Sequence, residues 1–363
     1  MKYVDEFRNK NLANKISQKI HSLAHSESLR IMEVCGSHTQ SFHRFGLGKL
    51  LPPSIKFISG PGCPVCVSSP GYIDAAIALA QDKNNIILSF GDMLRVPGSK
   101  STLEMARVAG AQVGVVYSAL EAISVAFQNP KKKVIFLAVG FETTVPTVGL
   151  TVLDAKRKGL RNIFFYCAFK LIPPALEYLA KDCDLNISGF LLPGHVSAII
   201  GTKPYAFIAK RYKIGCCVAG FEPLDMLEGI YFLLQQRIKK RPKVENQYNR
   251  AVRSLGNLKA KKIISSVFEP TVANWRGLGS IAQSGLRLRK EFSRLDAVRE
   301  FGFKAENKSS GIKDTRCRCR EVIRGIEEPR DCLLFKKICS PEHPYGPCMI
   351  SSEGTCNVYY RYC

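Results

Sequence analysis

The feature that most constrains the fold of this 363-residue chain is a repeated alternation of two kinds of segment. Short runs rich in β-branched and aromatic residues alternate with longer stretches of helical character. The runs are residues 29–34, 55–59, 86–90, 113–117, 134–140, 163–168, 189–192 and 216–220. Such alternation is typical of βαβ units, in which helices cover both faces of a parallel sheet. The sequence therefore predicts an α/β protein with Rossmann-like parallel sheets.

Two changes along the chain predict its division into domains. The turn Asn129-Pro130, which three lysines follow, restarts the strand–helix pattern, and from about residue 237 the strands become sparse. Turns rich in proline and shifts in composition mark domain boundaries. We therefore expect one α/β lobe over residues 1–128, a second over residues 129–236, and a basic, cysteine-rich region over residues 237–363.

Composition and the apolar runs exclude several classes of protein. With 46% hydrophobic and 23% charged residues, the chain is neither disordered nor a coiled coil. The N-terminal residues carry charges where a signal peptide has an apolar core. The longest uncharged stretch, residues 185–202, is interrupted by glycine and proline, unlike a membrane span. We therefore expect a soluble, cytoplasmic protein with no membrane partner.

The net charge of +23 first suggests affinity for nucleic acid. Residues 237–262 contribute +9 and residues 286–320 contribute +6, so most of the excess charge lies in the C-terminal third. These stretches lack interleaved aromatic residues and any familiar nucleic-acid-reading motif. We therefore attribute the charge mainly to a basic surface and do not expect nucleic acid as a partner.

Chemically reactive side chains follow the ends of the predicted strands, where sites form in parallel sheets. Cys35 and His38 lie in the string CGSHT, and Cys63 and Cys66 lie in GPGCPVC. A thiol and an imidazole on one turn can tune each other's pKa, and the CxxC spacing is typical of redox dithiols and of metal knuckles. Further polar candidates at strand ends, which could move protons or orient His38, are Asp92, Glu142, His195, Glu222 and Asp225.

Seven of the 14 cysteines lie in the last fifty residues. Four of them have the spacing Cys317-x14-Cys332-x6-Cys339-x16-Cys356, with Cys319 as an alternative to Cys317 and Cys348 as a spare. In a reducing compartment, such thiols indicate metal binding rather than disulfides. Wide, uneven loops favour a 4Fe–4S cluster, and zinc stays open as the alternative.

Six strings in order resemble a known family: CGSHT, GPGCPVC, GFETT, LPGHVS, GFEPLD and WRGLG. With the tail DCLLFKKICSPEHPYGPCMISSEGTC, they are similar to the hydrogenase maturation factor HypD family over essentially the whole chain. The resemblance implies two α/β lobes and a region that holds a 4Fe–4S cluster. It also implies a redox-active scaffold rather than a conventional turnover enzyme. Such a scaffold works with a HypC-type chaperone and a HypE-type cyanide donor to build the Fe(CN)2CO unit of [NiFe]-hydrogenase.

The resemblance further implies roles for individual residues. Cys35, with His38 beside it, would hold the iron of the Fe(CN)2CO unit, and the Cys63–Cys66 pair would pass electrons as a dithiol or disulfide. The cluster ligands would be Cys332, Cys339, Cys356 and either Cys317 or Cys319. One departure is Arg320, which stands where the family usually has glycine, but no thiol is lost.

Two other functional classes stay open from the residues alone. One is a zinc- or cluster-containing thiol oxidoreductase that uses Cys63 and Cys66. The other is a basic, nucleic-acid-binding iron–sulfur protein. Metal analysis of anaerobically purified protein distinguishes these classes.

Overall fold

The computed structural model describes residues 5–24, 28–302 and 316–363. The strands are β1 (Leu29–Glu33), β2 (Ile55–Ser59), β3 (Asn85–Ser89), β4 (Val113–Val115), β5 (Lys133–Ala138), β6 (Ile163–Cys167), β7 (Gly189–Pro193), β8 (Gly215–Ala219), β9 (Val244–Asn246), β10 (Phe268–Trp275) and β11 (Gly279–Leu288). The α-helices are α1 (Lys10–Leu23), α2 (Gly36–Arg44), α3 (Pro70–Ala80), α4 (Leu103–Val108), α5 (Glu121–Gln128), α6 (Val145–Arg157), α7 (Ile172–Ala180), α8 (Gly194–Ile200), α9 (Ala206–Tyr212), α10 (Pro223–Ile238), α11 (Leu258–Val267), α12 (Ala297–Phe301), α13 (Cys319–Ile323) and α14 (Thr355–Tyr362).

The predicted α/β class is confirmed, because two separate sheets consist of parallel strands. One sheet has the order β2-β1-β7-β8-β9 and the other has the order β4-β3-β5-β6. Every residue of β7 and of β8 is buried. Continuous burial is what a central strand of a parallel sheet needs, since helices cover both of its faces.

Contact clustering divides the chain into two compact units, each assembled from separate stretches. The first unit comprises Met1–Cys63, Ala175–Leu258 and Arg318–Cys363, and the second comprises Pro64–Pro174 and Lys259–Cys317. This arrangement differs from the predicted lobes over 1–128 and 129–236 and from a separate region over 237–363. The physical reason is strand pairing: β1 pairs with both β2 and β7, so its sheet joins residues from either side of the predicted boundary.

The core of each unit forms between its sheet and the helices on it. In the first unit, Leu191 and Ala219 from the sheet pack with Leu227 and Ile230 of α10. In the second unit, Phe136 and Phe165 from the sheet pack with Val148 and Val152 of α6. Apolar residues three or four positions apart on a helix form one face, and burial of that face drives the packing.

An antiparallel hairpin, β10–β11, belongs to the second unit and was not among the predicted strands. Phe268 pairs with Leu288, Trp275 pairs with Gly279, and the register shifts between Thr271 and Ala273. The turn lies in the string WRGLG, where Gly277 and Gly279 both have positive φ. Glycine adopts this backbone conformation without the steric cost of a Cβ, so the string encodes a turn.

None of the helices in the described part of the chain combines the length and the apolar character required to cross a bilayer.

Candidate functional site

Cys35 lies in the tight turn between β1 and α2 in the first unit. The strand ends at Glu33 and the helix begins at Gly36, so Cys35 occupies the N-cap position with extended backbone. Its thiol is free and buried. The N-terminus of a helix favours negative charge through its dipole and its free N–H groups. The dipole of α2 therefore acts on this thiol in the direction opposite to burial, which disfavours a charged thiolate.

The carboxyl group of Glu33 stabilises this turn through two hydrogen bonds. It accepts hydrogen bonds from the backbone N–H of Cys35, at 2.7 Å, and from the hydroxyl of Thr39. Glu33 is fully buried, and this burial raises its pKa to about 8. The side chain of Cys35 makes no cap hydrogen bond, so Glu33 fixes the backbone at the start of α2 while the thiol caps nothing.

Two glycines allow three segments of the first unit to meet at Cys35. A Cβ on Gly62 would overlap the backbone of Cys35, and a Cβ on Gly36 would overlap the backbone of Glu353. The N–H of Gly36 also donates to the carbonyl of Gly62 at 3.0 Å. The glycines of CGSHT and GPGC therefore serve close backbone approach. They bring the loop that carries Cys63 and the loop before Cys356 to the Cys35 turn.

Glu353 adds charge to the Cys35 turn. Its carboxylate accepts a hydrogen bond from Ser37, the second residue of α2. Burial, together with the negative charges of Glu353 and Glu33, raises the pKa of the Cys35 thiol to about 12. The thiol is consequently protonated at neutral pH, and a metal ion that binds it must displace that proton.

His38 is fully buried on α2, one turn after Cys35. Its Nε2 atom lies 2.9 Å from the carbonyl of Gly220 and 3.2 Å from that of Ala219. Carbonyls only accept hydrogen bonds, so Nε2 carries the proton and Nδ1 carries a lone pair. That Nδ1 atom is buried and has no hydrogen-bond partner among the described residues. Burial also lowers the pKa of His38 to about 4, which keeps the ring neutral.

Two imidazoles from different motifs meet on one aromatic ring. His38 and His195 stack on Phe221, with centroid distances of 4.7 and 4.0 Å. His195 is the second residue of α8, which directly follows β7, and Phe221 follows β8. The structure thus brings His195 to the Cys35 site, as its position at a strand end indicated.

The other two acidic candidates of the first unit are engaged in ion pairs. Asp225 is fully buried, and Arg250 donates to both of its oxygens at 2.7 and 2.6 Å. Glu222 accepts from Arg8 at 2.9 Å at the start of α10. Glu222 and Asp225 also form a reciprocal capping box there. Their contacts indicate a structural role that holds the Phe221 loop.

Cys63 and Cys66 form a disulfide in the loop after β2. Both are disulfide-bonded and buried, while the other twelve cysteines form no disulfide. The boundary between the two units falls directly after Cys63. The CxxC spacing therefore positions two sulfurs that bond, as a redox pair requires.

Of the seven C-terminal cysteines, all but Cys317 belong to the first unit. The sulfurs of Cys319 and Cys348 lie 2.9 Å apart, and the interactions of Cys348 with Cys319 and Cys356 raise its pKa well above the usual value. Burial raises the pKa of Cys339, and the neighbouring Cys356 and Cys332 raise it further. No set of three or more His, Cys, Asp or Glu side chains in the described ranges already has the arrangement of a metal site.

Cys348 is the residue that sequence reasoning undervalued. The spacing argument treated it as a spare, whereas the structure places its sulfur against Cys319. Cys317 is half-buried and is not part of a disulfide. The signal that could have found Cys348 is its string GPC, since proline and glycine turns often precede metal-binding cysteines in loops.

Glu142 and Asp92, the predicted candidates of the second unit, have different environments. One oxygen of Glu142 accepts from the N–H of Ile172 at 2.9 Å, and the other is buried with no hydrogen-bond partner in the part of the chain that the structure describes. Burial raises the pKa of Glu142 to about 7. Asp92 is exposed. Of the two, Glu142 alone is held in a buried position.

Comparisons with known proteins agree with one another. The model of the HypD family, described as the hydrogenase formation hypA family, matches residues 11–363. The hydrogenase maturation factor HypD of Azotobacter vinelandii is 43% identical over 370 residues, which cover all of this chain and 97% of that protein. The hydrogenase maturation factor HypD of Escherichia coli K12 is 42% identical over 369 residues, which cover all of this chain and 98% of that protein.

Proposed function

Because the chain belongs to the HypD family of hydrogenase maturation factors, we propose that it is a redox-active, iron-binding scaffold. On this scaffold, a HypC-type small chaperone and a HypE-type cyanide donor help to assemble the Fe(CN)2CO unit of the [NiFe]-hydrogenase active site. The observation that carries the proposal is the free thiol of Cys35 at the start of α2. The loop that carries Cys63 and the loop before Cys356 approach this turn.

The iron unit is the cargo, and Cys35 is the residue that binds it. Iron with cyanide and carbon monoxide prefers soft thiolate ligands. The Cys35 thiol gives up its proton when it binds the iron, and Glu33 fixes the backbone of Cys35 through its N–H. A single protein thiolate leaves coordination positions for a thiolate of the HypC-type partner. His38 is neutral, and its Nδ1 lone pair, which accepts no hydrogen bond from the residues that the structure describes, lies one helical turn after Cys35 in sequence.

The Cys63–Cys66 disulfide supplies the redox chemistry of the scaffold's own residues. A disulfide that accepts two electrons and two protons becomes two thiols, and the reverse reaction returns both electrons. Gly62 packs against the Cys35 backbone, so Cys63 follows directly after a residue of the iron site. We assign the pair the role of exchanging electrons with the iron site.

The C-terminal thiols fit a 4Fe–4S cluster by their chemistry. None of them is part of a disulfide, and Cys348 interacts with both Cys319 and Cys356. Soft thiolates are the ligands that such clusters take. The residues that would hold the cluster are Cys332, Cys339, Cys356 and either Cys317 or Cys319. When bound, the cluster supplies single electrons.

Replacement of Cys35 by alanine tests the proposal. The variant is produced anaerobically with HypC-type and HypE-type partners, and Cys183→Ala, which removes an exposed free thiol of the same unit, is the matched control. We expect Cys35→Ala to lose the infrared CN and CO bands and to keep the visible absorption of the cluster, while the control keeps both. Bands that persist in Cys35→Ala would place the iron elsewhere. Metal analysis of the control separates iron from zinc, which the thiol oxidoreductase alternative requires.

A further inference from the structure

The second unit contains a basic surface cleft that the proposed function does not use. It has a volume of about 1030 Å³. One wall consists of residues 130–133, which lead into β5, and residues 159–162, which lead into β6. The other wall consists of residues 291–300. The cleft therefore lies at the amino ends of β5 and β6, whereas the candidate residues discussed above follow the carboxyl ends of strands.

Positive charge dominates the cleft. Seven cationic and two acidic side chains line it, for a net charge of +5. One of the acids, Glu300, is paired with Lys133 at 2.7 Å. The remaining cations are Lys131, Lys132, Lys156, Arg161, Arg294 and Arg299. Like charges this close repel one another, so an anion that enters the cleft relieves repulsion as well as gaining contacts.

Aromatic rings hold two of the lysines in place. The ammonium group of Lys156 lies 4.7 Å from the centroid of Phe292, and that of Lys133 lies 5.1 Å from that of Phe301 and 6.0 Å from that of Phe164. Such cation–π contacts restrict the lysine side chains to the cleft. The charges are consequently preorganised, which reduces the entropy cost of binding an anion.

The chemistry of the cleft favours carboxylates over nucleic acid. Single-stranded nucleic acid stacks its bases on exposed aromatic rings, but Phe164 and Phe292 are buried and already covered by lysines. The guanidinium groups of Arg161, Arg294 and Arg299 can each bind a carboxylate in bidentate fashion. The volume lies at the upper end of the range for small-ligand sites, so a peptide segment fits better than a metabolite.

We propose that this cleft is a docking site for an acidic segment of a partner protein. Aspartate and glutamate side chains of an extended segment bind the arginines, and its backbone lies between the two walls. Part of the positive charge of residues 286–320 would then serve binding. From the sequence alone, this charge was attributed to a basic surface. The structure places residues 291–300 opposite Lys131 and Lys132.

Charge reversal inside and outside the cleft tests the proposal in the full-length protein. The cleft variant is K131E/R161E/R294E, and the matched control is K83E/K100E/R107E, which reverses three exposed cations of the same unit outside the cleft. Both change the net charge equally. The probe is a fluorescein-labelled oligoglutamate of about ten residues, long enough to cross the cleft. Binding is measured by fluorescence anisotropy, and circular dichroism checks that both variants are folded.

We expect the cleft variant to bind the probe at least about tenfold more weakly than the original chain, and the control to bind it within about twofold. Equal losses of affinity in both variants would show that only the net charge of the protein determines binding of the probe, and would overturn the proposed docking site. Absence of binding by the original chain would overturn it as well. If an oligouridylate of equal length binds more tightly than the probe, and only when the cleft is intact, the cleft is a nucleic-acid site and the proposed acidic segment is wrong.

Discussion

The two parallel sheets of this protein share one architecture but carry different chemistry. In the first unit, a thiol and two imidazoles follow β1 and β7, and the two imidazoles stack on the same phenylalanine ring. In the second unit, a buried carboxyl group follows β5, and cations gather at the opposite strand ends. The comparison teaches that the fold provides positions for a site, while the residue types at those positions decide what the site does.

The largest expected effect concerns the thiols of the first unit. Cys332→Ala should remove the 4Fe–4S cluster almost completely, because a cluster that loses one of four thiolate ligands is rarely retained. The measurement is the iron and sulfide content of anaerobically purified protein, together with visible absorption. Cys167→Ala, which removes a free thiol of the second unit, should retain full iron content. Full iron content in Cys332→Ala would shift the ligand set to the other cysteines, Cys348 among them.

A smaller effect is expected on stability, and it differs between the two buried carboxyl groups. Glu33→Ala leaves the N–H of Cys35 and the hydroxyl of Thr39 without their acceptor, whereas Glu142→Ala deprives only the N–H of Ile172. Each buried donor left unpaired costs roughly 1–3 kcal/mol. Glu33→Ala should therefore lower the free energy of unfolding by about twice as much as Glu142→Ala, as measured by thermal unfolding.

Glutamine variants provide the control for this comparison. Glu33→Gln keeps an acceptor oxygen and should recover at least half of the loss caused by Glu33→Ala. Alkylation of the buried Cys35 thiol should be faster in Glu33→Ala than in Glu33→Gln, because the turn opens. Equal losses for Glu33→Ala and Glu142→Ala would show that Glu33 has no special role at the turn.

The smallest expected effect is a pH dependence that arises in the second unit. The pKa of Glu142 is about 7 in the folded state, against about 4.3 for an unfolded glutamate. Between these values the folded state binds more protons, so the contribution of Glu142 to stability is fully present at low pH and decreases as pH rises through 7. Glu142→Gln cannot ionise. At about pH 8 it should therefore be more stable than the original chain, by on the order of 3 kcal/mol at most.

Thermal unfolding of both proteins at several pH values measures this difference. Near pH 4 the two melting temperatures should agree, since both side chains are then neutral, and the variant should melt several degrees higher at about pH 8. A constant difference across the whole range would mean that Glu142 keeps an ordinary pKa despite its burial.

The sequence predicted the elements of this fold better than their assembly. Apolar runs identified the eight strands of residues 29–220, because periodicity is a local property. The pairing of β1 with β7 joins residues far apart in the chain, and no local sequence pattern indicates it. The hairpin β10–β11 was missed because its strands expose many residues and carry few uninterrupted apolar runs.

The candidate site shows the same limit. Strand ends and spacing indicated Cys35, His38 and His195 as candidates, and the structure places the two imidazoles on one aromatic neighbour. The sequence could not show that Glu33 accepts a hydrogen bond from the N–H of Cys35, since a glutamate inside a strand is normally expected at the surface. Its role depends on burial, which results from the packing of the whole unit.

The discontinuity of the first unit has a consequence for biosynthesis. Its sheet and its cysteines come from three stretches, and the last of them, residues 318–363, contributes the Glu353 carboxylate beside Cys35. During translation, the Cys35 turn is made early, but its neighbours from this stretch are made after the second unit is complete in sequence. Folding of contacts so distant along the chain is slow and follows synthesis of the parts. A half-made chain therefore exposes the Cys35 thiol without the surroundings that bury it. The iron binding that we propose for this thiol is consequently expected after release from the ribosome.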